Sequence, residues 1–126
     1  MHIRCLLMIV IATLTWPISA RAHDAAKGPN GGPMITVQDK HAELTVSAAD
    51  IGVHISDAKH VPIATTNASG RAVIQMDGKT TIVPLVAGPQ GQLVGKAPAP
   101  IATGARVVVS ATLADGSSLQ ARFVVP

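Results

Sequence analysis

The chain has 126 residues, a length that suits one domain. It carries ten Lys and Arg against seven Asp and Glu, with one Cys, one Trp, one Phe and no Tyr. That balance lacks the clustered cations and aromatic platforms of a nucleic-acid surface. It also offers no Cys pair for a disulfide and no Cys-based metal site.

Residues 1–22 follow the grammar of a secretory signal peptide. Met1 to Arg4 is a short polar start with one fixed cation, and Cys5 to Thr15 is an apolar run too short for a stable membrane anchor. Trp16-Pro17 breaks the run, and Ala20-Arg21-Ala22 has the small-x-small spacing of a signal-peptidase site. Cleavage after Ala22 removes the Cys, the Trp and two of the ten basic residues, but no acidic one. The whole-chain pI of about 9.5 therefore overstates the charge of the mature domain, which is close to neutral. No later run is long enough to span a bilayer, so no transmembrane anchor is expected after cleavage.

Residues 23–33, His-Asp-Ala-Ala-Lys-Gly-Pro-Asn-Gly-Gly-Pro, are too rich in Gly and Pro for a regular element and read as a flexible N-terminal arm or a structured loop. From Met34 the pattern has a period of two. His41 to Ala48 places apolar residues at even positions, and Ile51 to Ser56 places them at odd positions. These two strands are expected to meet at an Ala49-Asp50 turn. Asp57 to His60 reads as a further turn. Arg71 to Met76 and Lys79 to Val86 flank Asp77-Gly78, the strongest hairpin signal in the chain. Pro84 marks an edge or a bulge. A short strand runs from Gln92 to Lys96, and Ala97-Pro98-Ala99-Pro100 is an extended connector. A last hairpin turns at Asp115-Gly116. The expected fold is all-β: a single antiparallel β-sandwich of about seven strands over residues 34–126, preceded by the signal peptide.

Catalytic signatures are missing. The mature chain has no Cys nucleophile and no G-x-S-x-G elbow. Its one Glu, Glu43, falls on the expected solvent face without a paired acid. Gly28 to Gly32 lacks the Lys-Ser/Thr and helix of a phosphate loop. An enzyme is not expected.

Metal ligation is the better candidate chemistry. His23, His41, His54 and His60 remain after cleavage. As the new N-terminus, His23 would offer its α-amine and imidazole as one chelate, a donor set suited to copper(II) in tetragonal geometry. Asp24 could add an oxygen or orient the ring. With the turn at Ala49-Asp50, His41 faces Ala58, and His60 lies diagonally on the same face at roughly 7–8 Å. His54 is about 13 Å along the strand from His41 and is a poor partner. The expected constellation is His23, His41 and His60 with Asp24, and Met34 lies outside it as a further option. Copper(II) or another divalent metal would be the ligand. The other expectation is a ligand-free structural domain that docks on an envelope complex through an exposed sheet edge.

Gly28-Pro29-Asn30-Gly31-Gly32 followed by His41-Ala42-Glu43-Leu44 resembles a group of small periplasmic proteins of proteobacteria. These share a Gly-Pro-Asn-Gly-Gly or His-Gly-Gly opening and a His-x-Glu-Leu strand. The likeness continues through Val53 to Asp57 with Val61-Pro62, and through Gln92 to Ala97. It implies a seven-stranded immunoglobulin-like sandwich similar to CopC and YtkA-like domains. It further implies a periplasmic accessory of copper or heavy-metal resistance that works with a metal efflux complex. N-terminal His ligation in CopC-like carriers matches His23. The Met-rich loop of many copper carriers is absent, and Asn30 stands where several relatives have His.

Overall fold

Alternating strands bury their apolar faces against a shared interior, and in this chain one curved sheet does so. The computed structural model describes residues 26–126; the signal segment, His23 and Asp24 lie outside the described residues. Among the described residues nine strands form: β1 (Ala26–Lys27), β2 (Pro33–Val37), β3 (Lys40–Ser47), β4 (Asp50–Ser56), β5 (Ser69–Met76), β6 (Lys79–Ala87), β7 (Gln92–Lys96), β8 (Arg106–Thr112) and β9 (Ser118–Val124). There is no helix among the described residues.

All nine strands belong to one antiparallel sheet in the order β1-β2-β3-β4-β7-β6-β5-β8-β9. β4 to β7 make a Greek key, because β7 returns beside β4 after the β5–β6 hairpin. The architecture is a half-barrel. About seven strands in two sheets were expected, and two local causes explain the difference. Ala26 and Lys27 pair with Met34 and Pro33, so the Gly/Pro-rich start contributes a strand. β6 and β7 share only the rungs Val86–Val94 and Ala87–Leu93, which join what would otherwise be two sheets. The ladder stops short of Pro84, which has no N–H to give. Gly95 lies so close to the Pro84 carbonyl that a side chain would not fit. The sheet bends at this corner.

The concave face holds one core. Leu44, Ile51, Val53, Ile55, Leu93, Val83, Leu85, Val107 and Val109 are its largest fully buried apolar side chains, and Phe123 is buried in the same core. Hairpin chemistry sets the connections. Asp77 and Gly78 both adopt positive φ, 52° and 72°, as a two-residue turn with right-handed strand twist requires.

The β3–β4 register differs from expectation. Ser47 pairs with Asp50, so Ala48-Ala49 forms the turn, with Ala48 at φ 52°. A shift by two residues keeps every side chain on its face, so the apolar pattern is blind to it. Tertiary contacts decide: the connector after β7 donates from Ala97 N to the Ala49 carbonyl at 2.8 Å and from Ile101 N to the Ala48 carbonyl at 2.9 Å. The observed register also sets Ala42 against Ile55 in the core. The expected one would have set it against Asp57.

Leu93 is completely buried in the strand that joins the halves. Leu93→Ala is expected to cost about 2–5 kcal/mol, read as a lower urea midpoint with an unchanged denaturant slope.

Candidate functional site

The convex face of β3 carries His41, Glu43 and Thr45 at alternate positions. Glu43 was expected in solvent but is only 2% exposed. The Gly28–Gly32 loop folds over it. Asn30 N donates to Oε2 at 2.9 Å and to Oε1 at 3.2 Å, Asn30 Nδ2 donates to Oε1 at 3.0 Å, and Gly32 N donates to Oε2 at 2.9 Å. No Lys or Arg pairs with this carboxylate among the described residues. A ring of N–H groups therefore replaces water around a buried charge, which burial would otherwise penalise heavily.

The loop's composition follows from that geometry. It closes on itself through Gly28 N to the Gly32 carbonyl at 2.8 Å and Gly31 N to the Gly28 carbonyl at 3.0 Å. A side chain on Gly28 would overlap the Glu43 carboxyl group, and one on Gly32 would overlap the Leu44 carbonyl oxygen. The two motifs that look unrelated in sequence are thus the two halves of one clamp. The available sequence signal was the chain's one Glu, in a strand that follows a Gly-rich loop with spare N–H donors.

One rung away the structure brings His41 and His60 together. Their rings stack with centroids 4.4 Å apart and planes 6° from parallel. The route differs from the expected diagonal, since His41 faces Ser56 rather than Ala58. The chain after β4 folds back instead. Asp57 N donates to the Val61 carbonyl at 2.9 Å, and His60 N donates to the Asp57 carbonyl at 3.0 Å. Asp57 Oδ1 accepts from Lys59 N at 2.8 Å and Val61 N at 3.0 Å. This carboxylate-centred turn holds His60 at φ 63° and returns Pro62 to bridge Ser56. On the other side, Thr36 Oγ1 lies 3.1 Å from His41 Nδ1. That contact orients the ring and leaves Nε2 open.

His54 and Met34 stand apart from this pair. His54 lies opposite Glu43, and its Nε2 is 3.1 Å from Thr45 Oγ1. Burial lowers its pKa below the ordinary 6.5, while the charge of Glu43 pulls the other way. Met34 is also opposite Glu43, on the β2 side. His23 and Asp24 fall outside the described residues, and among the described residues no three His, Cys, Asp or Glu side chains converge on a metal position. β1 nonetheless enters the sheet from the Thr36 end of β2, because Lys27 pairs with Pro33 and Ala26 with Met34. Compared with protein-family models, curated proteins and solved structures, the chain finds no match.

Two outcomes follow from this geometry. Glu43→Gln removes the charge that the loop's N–H groups converge on and is expected to cost about 1.5–3 kcal/mol, measurable by urea unfolding. His54 should titrate below 6.5 in a proton NMR experiment. Because the folded state protonates His54 less readily than the unfolded chain, its contribution is fully present above pH 6.5 and is lost as pH falls towards the depressed folded value.

Proposed function

We propose that this is a periplasmic metal-binding accessory protein that captures copper(II) or another divalent heavy metal within a resistance or efflux system. The single observation that carries this reading is the His41–His60 pair, two imidazoles 4.4 Å apart on an open face. His41 is oriented by Thr36 with Nε2 open, the arrangement that a supporting hydrogen bond typically produces for a ligating ring. His60 projects from an exposed turn, so rotation about its side-chain bonds brings a nitrogen towards the same point.

Two imidazoles alone make a weak site. His23, as the residue left by cleavage after Ala22, supplies the α-amine and a third imidazole, and Asp24 supplies an oxygen. Three peptide units link His23 to Ala26, a reach of about 10 Å, and β1 enters from the end of β2 that carries Thr36. Four nitrogen donors in one plane favour copper(II) over harder divalent ions. The function is capture and hand-over to a metal efflux or envelope complex, with no bond made or broken in a substrate.

Protein produced with His23 as the authentic N-terminus should bind copper(II) tighter than micromolar in a calorimetric titration. One additional Ala before His23 should weaken binding by about tenfold or more, as should His41→Ala or His60→Ala, on the scale of losing a coordinating or supporting group. Equal binding by the authentic and extended forms would remove His23 from the site. Unchanged affinity in both His variants would remove the stacked pair.

A further inference from the structure

The loop that covers Glu43 carries a reactive pair of residues at its tip. Asn30 is followed by Gly31, whereas the other Asn of the chain, Asn67, is followed by Ala68. A backbone nitrogen that follows Asn can attack the Asn side-chain carbonyl carbon and close a cyclic imide. A following Gly has no Cβ to hinder that attack. Here Asn30 and Gly31 are both exposed, and nothing lies within 4 Å of where a Gly31 side chain would begin. Neither burial nor crowding therefore protects the pair.

Hydrogen bonding does. Gly31 N, the attacking atom, donates to the Gly28 carbonyl at 3.0 Å. Asn30 Nδ2, the leaving group, donates to Glu43 Oε1 at 3.0 Å, and Asn30 N is held by both oxygens of the same carboxylate. Ring closure requires the amide to swing off Glu43 and Gly31 N to leave Gly28. Bonds to a charged acceptor are the strong kind, so such an opening is rare.

We infer that Asn30-Gly31 is a deamidation site that the Glu43 clamp keeps locked, and that one reaction there leaves the clamp permanently open. When the loop lifts, Gly31 N loses its proton to solvent and bonds to Asn30 Cγ. The Cγ–Nδ2 bond breaks, and the nitrogen leaves as ammonia with protons from solvent. Water then opens the imide at one of its two carbonyls. Cleavage of the new bond gives Asp at position 30, and cleavage of the original peptide bond gives isoaspartate, with one more carbon in the main chain. Either product lacks the Nδ2 donor and sets a carboxylate against the Glu43 carboxylate, where two like charges oppose each other. The loop cannot close over that pair, and β1 and β2 lose the contact that lays them against β3. The inference stands independently of metal binding.

The test follows deamidation of the protein in mildly alkaline buffer by the mass of its tryptic peptide 28–40. Digestion in heavy-oxygen water marks any change made during work-up. A synthetic peptide of residues 28–40 supplies the unlocked rate, and the protein should react at least about tenfold more slowly. Glu43→Gln should raise the protein's rate about tenfold without changing the rate at Asn67. Leu93→Ala weakens the core away from the loop and should change the rate at Asn30 less than about threefold. Asn30→Asp, the product of the reaction, should lower the urea midpoint more than Asn30→Ser, which loses the same donor without adding charge. Equal rates in protein and peptide, an unchanged rate in Glu43→Gln or an equal rise in Leu93→Ala would overturn the inference. So would an Asn30→Asp midpoint no lower than that of Asn30→Ser. Circular dichroism establishes that the variants are folded, and the comparison of protein with peptide needs no variant.

Discussion

A single buried carboxylate organises the N-terminal half of this protein. Glu43 sits on the convex face of β3, where a charge would ordinarily stay in water. It is held there because three N–H groups of one short loop point at its oxygens. The loop has no regular structure to hold it in place, and the carboxylate gives it a fixed address. With the loop pinned, β1 and β2 are laid against β3, and β2 presents Thr36 to His41. The glycines at 28 and 32 are the steric condition for that approach, since a side chain at either would occupy space already filled by Glu43 or by the Leu44 carbonyl.

The other half of the sheet answers to a different constraint. The core is filled by aliphatic side chains with Phe123 among them, and the sheet curves to close over it. Curvature is concentrated at the two-rung junction of β6 and β7, where Pro84 ends the ladder and Gly95 permits close approach. The curvature does not carry the sheet to closure. Among the described residues β2 and β9 come near each other without pairing.

Much of the fold was legible from residue pattern alone. Period-two alternation located the strands from β3 onward, and Asp77-Gly78 and Asp115-Gly116 marked hairpins that form. β1 was hidden by Gly and Pro around it, and its pairing depends on a clamp formed with a residue more than ten positions later. The alternation also placed Glu43 on the correct face but implied solvent, because period alone does not reveal what a distant loop will cover. His41 and His60 were paired on sequence grounds through the wrong register. Their contact survives because the Asp57-centred turn folds His60 back over β3.

The amino-acid sequence by itself determined the all-β class, the facing of each long strand and which histidines shared a side of the sheet. Those properties follow from local alternation and turn chemistry, which a chain carries before it folds. Only the tertiary structure decided strand count, register, continuity of the sheet and burial of Glu43. Each of these depends on hydrogen bonds between segments far apart in sequence: Asn30 and Gly32 to Glu43, Ala97 and Ile101 to the β3–β4 turn. A two-residue register shift leaves the apolar pattern unchanged, so only such contacts distinguish one pairing from another.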